Sequence, residues 1–275
     1  MRLGLAQMNI ETLNLSRNRQ TAQGFFQQAR EKQVDLLLFP EMTLTGFARN
    51  VQEMLAFEKE IFTAFQEWTS QYQVAALFGY ACALTPQERA ERPQARPAYN
   101  RLCLMENGQV HMTYDKIHPF SRGFEGGNYE PGRSLGTTRF HGWELGAFQC
   151  YDLRFPAFFS LLGETCQLIV VPANWPDFRI DAWDTLLCAR ALENQCFVAG
   201  INRVGRDEKS AYPGHSTVFD PKGGRLIPVS EKEELLVVQL DQELIEKSRA
   251  KMPQLKDRKG SLLFQLFQES REKNK

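Results

Sequence analysis

The pattern of apolar and polar residues predicts a chain in which strands and helices alternate. Short apolar or alternating runs, which are typical of half-buried or fully buried strands, cover residues 2–7, 34–39, 74–83, 101–105, 109–115, 144–149, 167–172, 197–201, 216–219, 224–228 and 235–240. Apolar residues at helical spacing predict helices around residues 22–29, at 51–72, from Asp152 onward and at 182–196. The alternation, with an antiparallel hairpin that turns at residues 106–108, indicates an α/β fold.

Polar segments between these elements indicate the organisation of the chain. Residues 84–97 predict a surface loop and not a linker, because strand-like sequence resumes at once. Residues 117–133 are rich in glycine, proline and polar side chains and predict a loop that reaches over the sheet edge. We expect one domain over residues 1–245. The charged extension 246–275 carries an apolar stripe and is expected to pack on that domain or at a subunit interface.

Composition and charge narrow the classes of partner. The 275 residues include 33 basic and 33 acidic side chains, so no net charge attracts nucleic acid or an acidic membrane. The first ten residues become polar too soon for a signal peptide, and no apolar run reaches membrane-spanning length, so we expect a cytoplasmic protein. Six cysteines and four histidines lack metal-ligand or CxxC spacing, which predicts reduced thiols and no metal site.

Three polar residues directly follow predicted strands. Glu41 follows the run that ends at Pro40, Lys116 follows strand 109–115, and Cys150 follows strand 144–149. Ligands gather at the carboxyl ends of strands in α/β sheets, so we expect these side chains in one crevice. A carboxylate, an ammonium and a thiol there are suited to acyl transfer, as base, oxyanion partner and nucleophile. Taken singly, Glu41 is better explained as a cap and Lys116 as a solvated surface charge.

Cys150 lies where a predicted strand passes into a predicted helix. At such a junction a thiol is close to free backbone N–H groups and to the positive end of the helix dipole, and both favour the thiolate. Cys150 is therefore a candidate nucleophile. The alternative interpretation is a small buried hydrophobic residue, which is the commoner fate of cysteine.

Three short blocks stand out along the chain. They are Pro40-Glu41 with Gly46-Phe47, residues 114–118 (YDKIH) and residues 150–156 (CYDLRFP). In order and spacing they resemble the signature blocks of the nitrilase superfamily of carbon–nitrogen hydrolases, and the likeness runs from the first residue to about residue 240. Residues 173–176 (ANWP), 190–195 (RALENQ) and 202–205 (NRVG) are similar to the bacterial ω-amidase branch in particular.

The resemblance implies a four-layer α-β-β-α sandwich that usually dimerises through helices beside the nucleophile. Residues 1–245 would then form the catalytic domain. The catalytic glutamate, lysine and cysteine of the superfamily correspond to Glu41, Lys116 and Cys150. Its additional glutamate, in the loop after the lysine, corresponds best to Glu125, with Glu130 as the competitor.

The resemblance also implies a reaction. Glu41 would accept the proton of Cys150, whose sulfur attacks a primary carboxamide, while Lys116 and the backbone N–H of Tyr151 hold the oxyanion. A thioester on Cys150 would then be hydrolysed, and Glu125 would orient the amide or position Lys116. No metal or organic cofactor takes part in this scheme.

The likeness to ω-amidases implies short α-keto acid ω-amides as substrates, such as α-ketoglutaramate, which would yield 2-oxoglutarate and ammonia. Arg154 or Arg203 would bind the carboxylate of such a substrate, although a structural ion pair explains either arginine slightly better. Asn174 and Trp175 are expected as walls of the pocket, beside Tyr151.

Other functions are compatible with the same residues. Within the superfamily, the alternatives are a deaminated-glutathione amidase or an N-carbamoyl hydrolase. From a different class, the chain would be a non-catalytic α/β binding protein, although three polar residues at strand ends argue against that. The expected partners are a small-molecule amide and a second copy of the chain in a homodimer, with neither nucleic acid nor membrane.

Overall fold

A computed structural model describes residues 1–272 of the chain. Strands in this part are β1 (Arg2–Gln7), β2 (Leu36–Leu38), β3 (Ala75–Ala83), β4 (Ala98–Glu106), β5 (Gln109–Asp115), β6 (Gly136–Phe140), β7 (Trp143–Ala147), β8 (Leu168–Ala173), β9 (Phe197–Asn202), β10 (Val204–Arg206), β11 (Ala211–Pro213), β12 (Thr217–Phe219) and β13 (Glu234–Gln239). Helices are α1 (Leu15–Glu31), α2 (Val51–Leu55), α3 (Glu58–Tyr72), α4 (Pro86–Glu91), α5 (Glu125–Asn128), α6 (Pro156–Gly163), α7 (Ile180–Asn194), α8 (Glu243–Lys251) and α9 (Gly260–Glu272). Three 3₁₀ turns, Cys150–Arg154, Asp177–Arg179 and Gln254–Asp257, complete the elements of this part of the chain.

Two mixed sheets carry the fold. The first has the order β13-β1-β2-β3-β4-β5 and the second the order β12-β9-β8-β7-β6, while β10 and β11 form a separate hairpin. In the first sheet β1, β2 and β3 are parallel, and in the second β7, β8 and β9 are parallel. The parallel strands at the centre of each sheet therefore end at a common edge, where ligands bind in α/β proteins.

The two sheets pack face to face. Because successive side chains of a strand point to opposite faces of its sheet, alternate residues lie between the two sheets and the others lie under the outer helices. In β2, Leu36 and Leu38 join the core shared by both sheets, whereas Leu37 joins the core under the outer helices. In β4, Leu104 and Cys103 divide in the same way. Helices α1 and α3 cover the first sheet, and α6 and α7 cover the second. The expected four-layer α-β-β-α sandwich is confirmed.

Local differences from the predicted elements have identifiable causes. The predicted helix 51–72 is two helices, α2 and α3, which separate at residues 56 and 57. The predicted loop 84–97 contains α4, which begins with a capping box in which Thr85 and Glu88 each bond the backbone N–H of the other. Residues 224–228 form a single isolated bridge, between Arg225 and Phe219, instead of a strand. Strands β6, β10 and β11 are additional to the predicted strands.

The C-terminal part is fastened to the second sheet's helices up to residue 258. Arg249 donates hydrogen bonds to the carbonyls of Gln195 and Cys166 at 3.1 Å, and Arg258 donates to the carbonyl of Ser160 at 2.8 Å. Helix α9 beyond it exposes its large apolar side chains, 49–65% accessible, at Leu262, Leu263, Phe264, Leu266 and Phe267. Residues 273–275 of the predicted extension lie outside the described residues, and the boundary at residue 245 stays a prediction. None of the helices within residues 1–272 has the length and apolar character that crossing a membrane requires.

Candidate active site

Glu41 is positioned by a close approach of two backbone segments. After β2 ends at Leu38, the chain passes over Gly79 of β3, where a Cβ atom would lie 3.0 Å from the backbone N of Met42 and 3.3 Å from Cα of Glu41. Thr43 secures the contact, because its N–H donates to the carbonyl of Gly79 at 2.9 Å and its hydroxyl oxygen accepts from the N–H of Gly79 at 3.1 Å. The side chain of Glu41 is thereby fully buried at the end of the strand.

Lys116 follows β5 and is fully buried, which excludes the interpretation as a solvated surface charge. Its ammonium lies 2.8 Å from Oε1 of Glu41 and 2.7 Å from Oε2 of Glu125. Burial alone lowers the pKa of Lys116, but Glu125 and Glu41 outweigh it and raise the pKa well above the ordinary value of 10.5. Lys116 therefore stays charged and joins both carboxylates in one buried cluster.

Asn100 on β4 completes this cluster. Its side-chain amide donates to Oε1 of Glu41 and to Oε1 of Glu125, both at 2.8 Å, and its carbonyl accepts from Nε2 of Gln149 at 2.7 Å. Burial raises the pKa of Glu41 above its ordinary value of 4.5, and the charge of Glu125 adds to that, while Lys116 and Asn100 oppose it. Glu41 is thus a stronger base than a solvated glutamate.

Cys150 is the first residue of the 3₁₀ turn that follows β7, so the expected change from strand to helical backbone occurs at this residue. Its φ of +49° lies in the left-handed region, which residues other than glycine rarely occupy. The turn is held by Asp152, whose carboxylate accepts the backbone N–H of Gln149 at 3.0 Å. Such conformations persist where surrounding contacts over-determine them, and they are common at functional sites.

Asp152 also ties the cysteine turn to the lysine strand. Its Oδ2 accepts from the hydroxyl of Tyr114 at 2.7 Å, and its Oδ1 accepts from the backbone N–H of His118 at 2.9 Å. Tyr114 and His118 lie two residues before and two residues after Lys116. Asp152 therefore holds the turn that carries Cys150 against the segment that carries Lys116.

A backbone N–H group favours the Cys150 thiolate, but its effect on the thiol pKa is outweighed in the assembled site. Burial raises the pKa of the thiol well above its ordinary value of 9.0, and the charge of Glu41 raises it further. Lys116 and the backbone N–H of Asn174 lower it without compensating. The sulfur consequently holds its proton in the resting site, and a base has to remove it.

One cavity of about 610 Å³ brings these groups together, and its rim includes the exposed residues 208 and 209. Glu41, Glu125 and Cys150 line it. Lys116 lies behind this lining and bonds the two carboxylates. The remaining wall includes the aromatic and cationic residues Phe47, Phe120, Phe124, Tyr151, Trp175, Phe178, Tyr212, Arg49, Arg154 and Arg179 and the acidic residues Glu53, Asp207 and Glu208. Within residues 1–272, no three His, Cys, Asp or Glu side chains are grouped as a metal site requires.

The residues expected to contact substrate divide into two groups. Tyr151, Arg154, Asn174 and Trp175 line the cavity. Arg203 does not, and the expectation that it binds substrate is wrong: it is 1% exposed, and its guanidinium donates to backbone carbonyls, among them that of Val204 at 3.3 Å. The expected ion pair of Arg154 is also missing among the described residues, since its guanidinium lies instead 5.0 Å from the centre of the Trp175 ring.

The hydrogen-bond and ion-pair partners of Glu125 and Glu130 show which of these two glutamates in the loop after Lys116 belongs to the buried cluster. Glu125 bonds the ammonium of Lys116 through both oxygens, at 2.9 and 2.7 Å. Glu130 instead pairs with Arg92 at 3.1 Å and accepts the backbone N–H of Arg96 at 3.3 Å, which ties the loop to the segment after α4. Glu125 is therefore the glutamate of the cluster.

Sequence reasoning missed the polar residues that hold this cluster in place. Asn100 alternates with Leu102 and Leu104 and so lies on the face of β4 that packs against the second sheet, and a polar residue in that register is the signal that was available. Asp152 stands two residues after Cys150, where an acidic side chain is typical of a cap on a helical turn. The contact of Asp152 with Tyr114 joins separate segments and has no signal in the local sequence.

Fold and site together define a class of protein, an α-β-β-α hydrolase with a thiol beside a carboxylate–ammonium–carboxylate cluster. The family model "Carbon-nitrogen hydrolase" matches residues 2–250. The chain belongs to the carbon–nitrogen hydrolase family. It is an enzyme that acts on amides, and the alternative of a non-catalytic binding protein is rejected.

Known relatives agree with the family assignment. Omega-amidase YafV from Yersinia enterocolitica is 36% identical over 193 residues, which are 70% of this chain and 71% of that protein. The 2-oxoglutaramate amidase from Paenarthrobacter nicotinovorans is 31% identical over 242 residues, 83% and 79% of the two chains. Among solved structures, XC1258 from Xanthomonas campestris, a CN-hydrolase superfamily protein with an arsenic adduct in its active site, has a TM-score of 0.84 at 28% identity and covers 94% of this chain and 97% of its own.

Replacement of the central cation tests the buried cluster independently of activity. In Lys116→Met, the carboxylates of Glu41 and Glu125 remain buried without their ammonium, and we expect a loss of about 3–5 kcal/mol of unfolding free energy at about pH 8. Burial raises the pKa of Glu41, so this carboxylate binds more protons in the folded protein than in the unfolded chain, and stability falls as pH rises above its unfolded pKa. The loss should therefore shrink at about pH 5, as measured by urea unfolding.

The matched control is Lys247→Met on α8, which removes an exposed ammonium 2.7 Å from Glu243. That change should alter stability little at either pH, because exposed ion pairs contribute little. A Lys116→Met protein as stable as the parent, or one whose loss is greater in acid, would show that the cluster is not the charged arrangement described.

Proposed function

We propose that this amidase hydrolyses the ω-carboxamide of short α-keto acid amides through a thioester on Cys150. One observation carries the proposal. The buried ammonium of Lys116 lies 2.8 Å from Glu41 and 2.7 Å from Glu125, and both carboxylates share a cavity with the sulfur of Cys150. The arrangement contains a nucleophile, a base with a raised pKa and a fixed positive charge, which are the groups that acyl transfer requires.

The first half of the reaction forms the thioester. Glu41 accepts the proton of Cys150 as the sulfur attacks the carbonyl carbon of the amide. The ammonium of Lys116 and the backbone N–H of Tyr151 stabilise the resulting oxyanion, a contact worth about 3–4 kcal/mol per donor in a dry site. Glu41 then gives its proton to the departing nitrogen, ammonia leaves, and the acyl group stays on Cys150.

The second half regenerates the enzyme. Glu41, once more a carboxylate, takes a proton from water, and the hydroxide attacks the thioester carbonyl. The second tetrahedral intermediate collapses to the carboxylic acid, and the proton on Glu41 returns to the sulfur of Cys150. Glu125 keeps Lys116 in position throughout, because it bonds the ammonium through both oxygens.

Asn174 supports an amide as the reacting group. It lines the cavity, and its side-chain N–H group donates to the backbone carbonyl of Glu41 at 2.8 Å. Its Oδ1 is buried and accepts no hydrogen bond from the described residues, although buried acceptors are almost always paired. The N–H₂ group of a bound carboxamide would supply the missing donor.

The proposed substrate class rests on the relatives and on Arg154. The Yersinia protein is named an omega-amidase and the Paenarthrobacter protein a 2-oxoglutaramate amidase, so α-ketoglutaramate is the first substrate to test. Its carboxylate needs a cationic partner. Arg154 lines the cavity and pairs with no carboxylate among the described residues, so its guanidinium is available. The homodimer and the cytoplasmic location expected from the sequence stay predictions.

Cys150→Ala and Cys150→Ser should both stay folded and lose turnover by about 10⁴-fold or more, the scale of a lost nucleophile. In the parent enzyme, acid quenching during turnover of α-ketoglutaramate should trap a protein whose intact mass is increased by one acyl group. Cys188→Ser is the matched control, since Cys188 is a partly exposed thiol on α7 outside the cavity lining, and it should keep both activity and adduct. Near-normal turnover in Cys150→Ala would exclude the covalent step.

A substrate panel tests the specificity. Release of ammonia or amine should be fastest, in kcat/KM, for α-ketoglutaramate compared with deaminated glutathione, an N-carbamoyl amino acid and a simple nitrile. Arg154→Gln should raise KM for α-ketoglutaramate and leave that for butyramide, which has no carboxylate, nearly unchanged. If another member of the panel is fastest, the enzyme is one of the alternative amide hydrolases; if Arg154→Gln affects both amides equally, Arg154 does not bind the carboxylate.

A further inference from the structure

A second guanidinium, that of Arg179, lines the cavity without a carboxylate of its own. Arg179 is the last residue of the 3₁₀ turn Asp177–Arg179 and is half-buried. Its guanidinium carbon lies 5.2 Å from the ring centre of Phe120 and 5.0 Å from that of Phe178. Among residues 1–272 its side chain has no hydrogen-bond acceptor and no ion-pair partner, so the donors of this cation remain unused.

Arg49, unlike Arg179, is paired with a carboxylate. Arg49 also lines the cavity, but its guanidinium is 3.3 Å from the carboxylate of Glu208. Asp207 is likewise occupied, because it accepts the hydroxyl of Tyr212 at 2.6 Å and the backbone N–H of Lys209 at 2.8 Å. Glu53 lines the cavity as well, and among residues 1–272 none of Glu53, Asp207 and Glu208 forms an ion pair with Arg179.

Trp175 places Arg179 on the same wall as Arg154. The indole ring of Trp175 lies under the guanidinium of Arg154 at 5.0 Å, and its Nε1–H donates to the backbone carbonyl of Arg179 at 2.7 Å. Phe120, which stacks against Arg179, also contacts Tyr151 with ring centres 4.9 Å apart. Aromatic faces restrain both guanidinium groups, which reduces the entropy that a bound anion would cost.

We propose that Arg179 is a second carboxylate subsite and that the enzyme accepts amides whose acyl group carries two carboxylates. This inference rests on the proposed function, in which Arg154 binds the first carboxylate. The cavity volume of about 610 Å³ is within the range of sites that bind drug-sized ligands. It is larger than a five-carbon acyl group needs. A second carboxylate on the acyl group would form a charge-assisted, bidentate contact with the unused donors of Arg179.

Two amides that differ by a single carboxylate test the subsite. Glutaramate has one carboxylate, and 3-carboxyglutaramate, the terminal monoamide of tricarballylic acid, has the same chain with a second. Arg179→Gln should lower kcat/KM for 3-carboxyglutaramate by about tenfold or more, the scale of one charge-assisted hydrogen bond. The same variant should lower kcat/KM for glutaramate much less, and the loss should appear mainly in KM.

Arg49→Gln is the matched control. It removes the same charge from the same cavity, but Arg49 is already paired with Glu208. It should leave the ratio of the two kcat/KM values nearly unchanged. Arg179→Lys, which keeps the charge but cannot form a bidentate contact, should recover part of the ratio lost in Arg179→Gln. Partial recovery separates a binding role from a purely structural role in ring stacking.

The outcomes separate this inference from the proposed function. If 3-carboxyglutaramate is not hydrolysed, or if Arg179→Gln lowers kcat/KM for both amides equally, the second subsite is wrong while hydrolysis of glutaramate or α-ketoglutaramate still supports the amidase. If no amide in either set releases ammonia and no acyl adduct forms on Cys150, the proposed function itself fails.

Discussion

The rest of the site depends on a single buried ammonium shared by two carboxylates. Lys116 bridges Glu41 and Glu125 at 2.8 and 2.7 Å with no exposure of its own. Breaking a buried pair by removing one partner leaves an uncompensated charge, so each of the three groups constrains the other two. Burial raises the pKa of Glu41, and the charge of Glu125 adds to that, because the one ammonium does not compensate for both effects. Burial, with the charge of Glu41 added to it, raises the pKa of the Cys150 thiol as well. Glu41 is therefore the base, and the thiol is the group that it deprotonates.

The sandwich supplies Glu41, Lys116 and Cys150 from three strand ends and Glu125 from α5. Polar contacts between the layers then hold these groups in place. Gly79 lets the segment after β2 lie against β3, which brings Glu41 into reach of Lys116. Asp152 joins the cysteine turn in the second sheet to the strand β5 of the first, through the hydroxyl of Tyr114 at 2.7 Å. The packing of the two sheets therefore brings the segment that carries Cys150 against the segment that carries Lys116.

The local pattern predicted the strand ends and the three polar residues that follow them, because buried strands are local features. The resemblance to the nitrilase superfamily then favoured a catalytic role for these residues over the simpler explanation of each. Glu125 was harder to place, since its choice over Glu130 depends on which one reaches Lys116 across the loop. The local sequence does not separate Arg203 from Arg154 as the partner of the substrate carboxylate. The burial of Arg203 follows from the packing of separate segments. The raised thiol pKa also escaped sequence reasoning, since burial and the charge of Glu41 are properties of the assembled site.

Titration of the thiolate tests this account most directly. The ultraviolet thiolate absorbance of the parent protein minus that of Cys150→Ser isolates one sulfur, because the other five cysteines cancel. The account predicts no thiolate step at or below the ordinary cysteine pKa of 9.0, even where amide hydrolysis is already fast. A step near neutral pH would show a preformed thiolate, and the assignment of Glu41 as the base that deprotonates Cys150 would then be contradicted.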